Sequence, residues 1–341
     1  MQQKITEPSD LLNEHGELIQ TGYATTPLLK YNRKAAEQKR RLKEWDYYLI
    51  NNESYAFALT VGYTMGYILI SISIIDLVKR TEQSKSVIKH IRNWNLPESS
   101  QIGDIIYKDI RTDLKIIHKG ADREIFLYLD DFLPDSALTA SFLLSKEPKD
   151  SMVIATPFKE NKKCFYYNQK IIGMSALGSI NVKDTIYNFD SGNSFGLLDW
   201  GRGVWPYKTT WYWSSAFGFI LDNTFGFNLG YGFGDTDNAT ENMLFFNGIA
   251  NKLDRVNFRI PKKFKNKYDY MEPWNFTSSD NRITMTFEPI FDRNFTLNAI
   301  FFSTSQHQVF GRFSGTAVLD DGRTVYLKNF LGFAERVVNR W

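Results

Sequence analysis

The sequence predicts an all-β protein of two consecutive antiparallel β-barrels with a short N-terminal helix. Bulky and small residues alternate through most of its apolar stretches, which places one set of side chains on each face of a strand. Turn-forming residues separate these stretches at short spacing, as they do in sandwiches and barrels. With 341 residues the chain is too long for one small barrel, so two barrels are expected.

The most apolar stretch is YAFALTVGYTMGYILISISII, residues 55 to 75, which has no charged side chain and is long enough to cross a bilayer as a helix. The spacing of Gly62 and Gly66 also resembles the contact face of paired transmembrane helices. However, the bulk falls on every second residue, and the phase of this alternation reverses after Gly66. A phase reversal at a glycine indicates a turn or a bulge. We therefore predict two strands rather than a membrane helix.

The alternating pattern continues along the chain, with turn formers such as Asp320-Asp321-Gly322 between its segments. One segment departs from it, because NRKAAEQKRRLKEW, residues 32 to 45, is predicted to form a short helix. We divide the chain into an N-terminal arm with this helix (1–45), a first barrel (46–240) and a second barrel (241–341). Other alternating stretches are EIFLYLDDFL (124 to 133), RITMTFEPIF (282 to 291) and RTVYLKNFLGF (323 to 333).

Bulk composition restricts the classes of function. The balance of 41 basic against 38 acidic residues leaves a net charge of +3, which gives no indication of a nucleic-acid partner, and none is expected. A single cysteine, Cys164, excludes an internal disulfide framework. The N-terminal MQQKITEPSD lacks the basic and apolar regions of a secretory signal, so a cytoplasmic location is expected. No zinc-ligand spacing or dinucleotide fingerprint is visible, so neither a metal nor a cofactor is expected.

Two stretches are rich in basic residues, one from Lys30 to Trp45 and one from Arg259 to Tyr268, RIPKKFKNKY. They could attract an anionic membrane surface or an acidic partner. The alternative is that both are ordinary solvated faces. Binding to anionic vesicles that weakens with salt would distinguish the two interpretations.

The densest candidate site is FGLLDWGRGVWPYKTTWYWSSAFG, residues 195 to 218. Its rings offer apolar surface with polar handles, which suits an apolar ligand that carries one or two polar groups. Gly201 and Gly203 favour a sharp turn around Arg202. Asp199 is expected to pair with Arg202, because a lone buried charge is costly. Such a pair would either close a barrel mouth or bind a ligand.

Two further candidates lie outside this stretch. Tyr231 belongs to the glycine-rich GYGFG, and His307 lies beside glycines and aromatic residues in SQHQVFGRFSG. A lone histidine on a strand is commonly structural, which is the alternative for His307. The complete set predicted to bind the ligand is Trp200, Arg202, Trp205, Tyr207, Trp211, Trp213, Tyr231 and His307.

A family resemblance is carried by LLDWGRGVWPY, WYWSS, MLFFNGIANKL, EPWNFTSSDNRITMTFEP, QVFGRFSGTAVLDDGRTV and the terminal GFAERVVNRW. On these motifs nearly the whole chain resembles an uncharacterised bacterial family of double lipocalin-like proteins. That family is distantly similar to the carotenoid hydratases (hydroxyneurosporene synthase) and to tocopherol cyclases, which act on long isoprenoid chains. The resemblance implies two lipocalin-like barrels and an apolar, isoprenoid-like ligand.

The sequence departs from the hydratases at one motif. They read roughly Trp-x-Asp-His where this chain has Leu198, Asp199 and Trp200, so a tryptophan stands in place of the histidine. Asp199 or Glu241 could replace that group as a general acid if burial raised its pKa, and these two are the candidate catalytic residues. Glu335, in GFAE, matches a family signature and is expected to have a structural role between the barrels.

Three functions remain open from the sequence. The first is binding, with or without modification, of a lipid or isoprenoid-like molecule in a Trp- and Tyr-rich barrel pocket or a cleft between barrels. The second is a hydratase- or cyclase-type lyase that acts on an isoprenoid, and the third is a non-catalytic interaction module. A carrier would yield a co-purified lipid, an enzyme would yield turnover, and an interaction module would yield neither.

Overall fold

The computed structural model describes residues 2–298 and 302–340, and in this part of the chain it contains β-strands and short 3-10 turns but no α-helix. The 3-10 turns are Arg33–Ala35, Lys39–Arg41 and Phe264–Asn266. Strands in the first part of the chain are β1 (Ser9–Asp10), β2 (Gly22–Ala24), β3 (Leu29–Lys30), β4 (Leu42–Asn51), β5 (Tyr55–Thr64), β6 (Tyr67–Asp76), β7 (Thr81–His90), β8 (Ile105–Lys108), β9 (Thr112–Lys119), β10 (Asp122–Leu133), β11 (Ser136–Ser145), β12 (Met152–Phe158), β13 (Asn161–Val182), β14 (Thr185–Phe189) and β15 (Phe195–Val204). They are followed by β16 (Lys208–Ile220), β17 (Asn223–Tyr231), β18 (Met243–Phe246), β19 (Ile249–Lys252), β20 (Val256–Arg259), β21 (Trp274–Ser278), β22 (Ile283–Asn298), β23 (Ser303–Val318) and β24 (Thr324–Arg340).

These strands form two large antiparallel sheets, each curled into a lipocalin-like half-barrel, as the sequence predicted. The 13-stranded first sheet runs in the order β7-β6-β5-β4-β15-β13-β11-β10-β9-β8, with β12 and β14 paired to β13 and β2 paired to β12. The 9-stranded second sheet runs in the order β19-β18-β17-β16-β24-β23-β22-β21-β20. A small separate sheet pairs β1 with β3 in parallel.

The change from one sheet to the other falls between Val204 and Lys208. Because β16 pairs with β24, the Trp-rich stretch 195–218 is divided between both sheets. The sequence pattern does not reveal this division, and the barrel boundary predicted from it lies near residue 240. As folding units, the domains 46–240 and 241–341 stay a prediction.

The apolar stretch 55–75 forms a β-hairpin of β5 and β6, which confirms the prediction of two strands. Its turn is Met65-Gly66, with φ of 50° and 82°. A two-residue hairpin turn with positive φ at both positions matches the right-handed twist of the strands. No helical segment among residues 2–298 and 302–340 has the length and apolar character to cross a bilayer.

The helix predicted for residues 32 to 45 is wrong. This segment contains two 3-10 turns and the start of β4, which pairs with β15 on one side and β5 on the other. Leu42, Glu44 and Asp46 alternate into the barrel and are buried there. Pairing on both edges and burial of this face outweigh the helix propensity of the Ala- and Lys-rich segment, which is worth only tenths of a kcal/mol per residue.

The hairpin turn gives a test of this fold. A side chain at Gly66 would have to adopt φ of 82°, and its Cβ would lie 3.2 Å from Nε2 of His90. We expect Gly66→Ala to lower the free energy of unfolding by about 1 to 2 kcal/mol, measured by urea denaturation. Gly192→Ala is the matched control, because no atom lies within 4 Å of its added Cβ. Equal effects of the two substitutions would contradict the turn assignment.

Candidate functional site

Polar side chains meet where the two half-barrels face each other. Along β13, Tyr166, Asn168 and Lys170 occupy alternate positions and are all buried. Lys170 lies opposite Asp199 of β15, which in turn lies opposite Tyr47 of β4. Partners directly across antiparallel strands project from the same face, so this row of side chains points together. The row faces the second sheet, since Lys170 Nζ lies 4.2 Å from the ring centroid of Trp213.

Lys170 and Asp199 form a buried ion pair at the centre of this row. Lys170 Nζ lies 3.0 Å from Oδ1 of Asp199, which also accepts a hydrogen bond of 2.5 Å from Asn168 Nδ2. The other carboxylate oxygen accepts a bond of 3.2 Å from Trp45 Nε1. The carboxylate is therefore held by three donors, which offsets the cost of burying it.

Glu241 lies beside this pair, in the segment between β17 and β18. Its Oε2 accepts a hydrogen bond of 3.4 Å from the Tyr166 hydroxyl, which in turn lies 3.4 Å from Lys170 Nζ. Its Oε1 has no hydrogen-bond partner within the described residues. Burial raises the pKa of Glu241 to about 7, with Lys170 opposing the rise and Asp199 adding to it. Near neutral pH this carboxyl can therefore hold or release its proton.

Gly230 makes room for the Glu241 carboxyl. A Cβ at Gly230 would lie only 2.0 Å from Oε1 of Glu241, so any larger residue would displace the acid or the strand. Gly230 belongs to β17, directly opposite Trp213 of β16. The glycine-rich GYGFG stretch is therefore a packing feature next to the acid.

Glu335 of β24 is a second buried carboxyl in the same region. Its Oε1 accepts a hydrogen bond of 2.9 Å from Trp211 Nε1, and its Oε2 accepts one of 3.4 Å from Gln308 Nε2. Gln308 also bonds to the hydroxyl of Tyr47, which belongs to the first sheet. Burial raises the pKa of Glu335 to about 7. The hydrogen bond from Trp211 and the charge of Lys170 both oppose this rise.

Aromatic rings surround these polar groups. The ring centroid of Trp205 lies 5.8 Å from that of Trp45 and 5.5 Å from that of Trp211. Phe233 stacks on Tyr166 with a centroid distance of 5.1 Å. Rings of this kind exclude water and lower the local dielectric constant, which strengthens every charge interaction among the buried groups.

A groove of about 500 Å³ opens next to Glu241. Its lining includes Gly230, which lies against the Glu241 carboxyl, and Thr240 and Asn242, which flank Glu241 in the sequence. Phe158, Pro206, Tyr231 and Val256 contribute apolar surface to the groove, and charged side chains such as Lys159 and Arg255 also line it. A second, partly open pocket near Gly173 has a volume of about 20 Å³, enough for one water molecule. Within residues 2–298 and 302–340, no three His, Cys, Asp or Glu side chains are grouped as metal ligands.

The structure brings some of the predicted residues together and separates others. Asp199 and Glu241, the two candidate acids, belong to one cluster and are linked through Lys170 and Tyr166. Trp205, Trp211 and Trp213 lie around this cluster, and Tyr231 lines the groove. Tyr207 lies between β15 and β16 and is 46% exposed. His307 lies outside this cluster. Its Nδ1 is 2.8 Å from Oδ2 of Asp292, and its ring stacks on that of Tyr270 with a centroid distance of 3.7 Å.

The predicted pairing of Asp199 with Arg202 is wrong. DWGRG lies within the extended strand β15 and not in a turn, and residues three apart on a strand project from opposite faces. Arg202 points into the first half-barrel, where Nη1 lies 2.9 Å from Oδ1 of Asp46 and the guanidinium lies 4.2 Å from the ring centroid of Trp200. Arg202 and Trp200 therefore belong to the interior of the first half-barrel, on the face of β15 opposite to the cluster.

Lys170, Tyr166 and Gln308 were missed by the sequence analysis. A signal was present for the first two, because the polar side chains of YYNQK, residues 166 to 170, lie between the apolar Cys164-Phe165 and Ile171-Ile172 of one strand. Glu335 had been expected to have a structural role between the barrels. It lies at that interface, and its role stays a prediction.

The pH dependence of stability tests the raised pKa values. Glu241 and Glu335 have pKa values of about 7 in the folded protein, against roughly 4.3 for an unfolded glutamate. Between these values the native state holds more protons, so the free energy of unfolding falls as pH rises from about 4.5 to about 7. We expect Glu241→Gln and Glu335→Gln each to remove part of this fall, roughly 2 to 3 kcal/mol, in urea unfolding across the window.

Glu160→Gln is the control for this experiment, because Glu160 lies at the same groove but is exposed. This substitution should leave the dependence of the unfolding free energy on pH unchanged. If Glu241→Gln and Glu335→Gln also leave this pH dependence unchanged, the two carboxyls do not have raised pKa values and the electrostatic description of the cluster is wrong.

The position of Arg202 is tested by stability. Arg202→Met leaves Asp46 buried without its partner, so we expect unfolding to become easier by roughly 3 to 5 kcal/mol. Adding Asp46→Asn should recover part of this loss, whereas adding Asp199→Asn should not. Lys159→Met removes an exposed pair with Asp237 and should change stability little. If Asp199→Asn recovered the lost stability instead, the result would support the pairing of Asp199 with Arg202 that the sequence predicts.

Comparison with solved structures supports the fold. A putative AttH (NE1406) from Nitrosomonas europaea matches with a TM-score of 0.52 and 13% identity, covering 88% of this chain and 93% of that one. Kievitone hydratase from Nectria haematococca matches with a TM-score of 0.43 and 10% identity, and CghA with 0.46 and 9%, each covering 88% of both chains. The first likeness shows the fold alone, and the other two scores are too low to carry an argument.

Comparison of the sequence gives the family. A search of curated proteins finds no match to this chain. The sequence model described as "Domain of unknown function (DUF2804)" matches residues 2–341, which is nearly the whole length. The chain therefore belongs to the DUF2804 family.

Proposed function

We propose that this protein binds an apolar small molecule of the lipid or isoprenoid-like class at the cleft between the half-barrels and transfers a proton to it from Glu241. The reaction would be of the hydratase or cyclase type. One observation carries the proposal: Glu241 is a buried carboxyl with a pKa of about 7, one of its oxygens accepts no hydrogen bond from any described residue, and its neighbours line a groove.

The surroundings favour a ligand with an apolar body and a polar group. A volume of about 500 Å³ is within the range of sites for small organic ligands. Phe158, Tyr231 and Val256 offer apolar contacts, while Thr240 and Asn242 offer hydrogen-bonding groups near the acid. The ring faces of Phe158 and Tyr231 in the groove lining are electron-rich and can stabilise a positive charge on carbon.

In this proposal the carboxyl proton of Glu241 moves to an alkene carbon of the substrate. The O–H bond of Glu241 breaks while the π electrons of a substrate alkene form a new C–H bond, which leaves a carbocation and a Glu241 carboxylate. Lys170, which acts on Glu241 through space and through Tyr166, stabilises that carboxylate. Burial holds the pKa of Tyr166 well above its usual value, so its hydroxyl remains a donor to the carboxylate.

The carbocation then reacts in one of two ways. In a hydratase, water adds to the cation and its proton returns to Glu241, so the carboxyl ends as it began. In a cyclase, an internal hydroxyl group or alkene of the substrate takes the place of water, and the proton it loses returns to Glu241. A pKa near the working pH suits a group that must both give and recover a proton.

A carrier function would use the same cleft without the proton transfer. The titratable cluster is what favours chemistry over simple binding, since a carrier of apolar molecules gains nothing from carboxyls with a pKa near 7. A non-catalytic interaction module would use neither the groove nor the acid. A cytoplasmic location is also part of this proposal.

Mass spectrometry and deuterium incorporation test the proposal. The purified protein is extracted with organic solvent to identify a bound molecule, and is then incubated in D₂O with farnesol or geranylgeraniol, or with the extracted molecule. We expect deuterium on a carbon of the substrate. Glu241→Gln should still bind the molecule but should lower the rate of incorporation roughly 100-fold or more, because the general acid is lost.

Glu160→Gln serves as the matched control at the groove and should leave the rate unchanged. Binding of the molecule without deuterium incorporation by the unaltered protein would indicate a carrier. Neither binding nor incorporation would favour the interaction module. Full activity of Glu241→Gln would rule out Glu241 as the acid.

A further inference from the structure

The loop between β20 and β21 projects an aromatic side chain surrounded by lysines. Phe264 is 85% exposed, although rings of its size are usually buried. Lys262, Lys263 and Lys265 lie beside it and are exposed, and Lys267 follows them. Together these five side chains form what we call the Phe264 tip.

The Phe264 tip is held out from the protein by an ordered base. The backbone N–H of Lys263 donates to the carbonyl of Lys267 at 2.7 Å, and that of Asp269 donates to the carbonyl of Pro261 at 2.9 Å. Lys262 and Tyr268 form an antiparallel bridge between these bonds. The loop is therefore a small closed hairpin that carries Phe264 near its end.

The charges of the tip are largely available. One acid, Asp269, neutralises Lys263 at 2.7 Å, while Lys262 and Lys265 lie against the rings of Tyr268 and Phe264. Lysines held beside an exposed ring present positive charge and apolar surface on the same side of the protein. This combination fits the boundary between anionic headgroups and acyl chains.

The first basic stretch, from Lys30 to Trp45, is less exposed than the Phe264 tip, and part of its charge is neutralised. Arg33 is bound to the buried Glu44 at 2.9 Å and lies 3.6 Å from Glu98. Lys43 is largely buried, and burial lowers its pKa to about 6. The run from Lys30 to Trp45 therefore carries less free positive charge than its sequence indicates.

We propose that the Phe264 tip docks the protein on an anionic lipid bilayer, with Phe264 inserted among the headgroups and the lysines bound to lipid phosphates. Val256 at one end of β20 lines the groove beside Glu241, and Arg259 at the other end leads into the tip. A strand of this length spans roughly 10 to 13 Å, so a docked protein would hold the groove close to the membrane surface.

Vesicle flotation with the full-length protein tests this docking. We expect binding to phosphatidylcholine vesicles that contain about one third phosphatidylglycerol, little binding to phosphatidylcholine alone, and a steep loss with added salt. Phe264→Ser should weaken binding at least 10-fold, because the inserted ring is lost. Replacement of Lys262, Lys265 and Lys267 by glutamine should weaken it by roughly 5-fold for each lysine.

Matched controls distinguish docking by the Phe264 tip from nonspecific hydrophobic or electrostatic binding to vesicles. Leu221→Ser removes another highly exposed apolar side chain, 90% exposed and next to Asp222, and should not change binding. Lys39→Gln with Arg40→Gln removes two exposed charges from the first basic run and should change it little. Glu241→Gln should bind vesicles as the unaltered protein does, so failure of the proposed proton transfer leaves this result unaffected.

Three outcomes would overturn the proposal. One is the absence of binding to anionic vesicles at low salt. Another is binding that requires the lysines but not Phe264, which would indicate a charged surface suited to an acidic macromolecule. The third is an equal loss on Leu221→Ser and Phe264→Ser, which would mean that the tip has no special role.

Discussion

The ion pair of Lys170 and Asp199 is the interaction on which the site between the half-barrels depends. Both side chains are buried, and in such surroundings either charge without the other would cost several kcal/mol. The same ammonium group also lowers the pKa of Glu241 and of Glu335 against the effect of their burial. Lys170 thus acts on three carboxyls, but burial outweighs its charge, and the pKa values of Glu241 and Glu335 remain raised.

Strand β15 shows how one segment can serve two separate networks. Asp199 projects toward the second sheet, whereas Trp200 and Arg202 project into the first half-barrel. The alternation of a strand alone accounts for this separation. Gly201, on the same face as Asp199, leaves space for the ring of Trp45, since a Cβ there would lie 2.1 Å from it.

The interior of the first half-barrel carries its own buried charges. Besides the pair of Arg202 and Asp46, Arg123 lies 2.6 Å from Glu147 and donates to the carbonyl of Ser100 at 3.0 Å. Arg202 likewise donates to the carbonyl of Pro97 at 2.7 Å. These bonds fix the segment between β7 and β8 against the barrel wall. The interior of the first half-barrel is therefore occupied in part by these charged side chains and by the segment that they hold.

The sequence by itself determined the strands and many of the turns, because both depend on local patterns. The alternation around Leu59 and Ile70 and the positive φ available to Gly66 were sufficient to identify the hairpin of β5 and β6. The helix predicted for 32 to 45 failed where pairing on both edges of β4 outweighed local propensity. Sequence spacing also identified Asp199 as a candidate, but it assigned Asp199 the wrong partner.

Tertiary structure alone decided the composition of the site and its proton affinities. Lys170, Asp199 and Glu335 are far apart in the chain and meet because the register of β13, β15 and β24 turns their side chains to one interface, where the segment after β17 adds Glu241. The pKa values of Glu241 and Glu335 depend on how much water the surrounding rings exclude. Burial and strand register are properties of the folded chain, so no local pattern in the sequence could specify them.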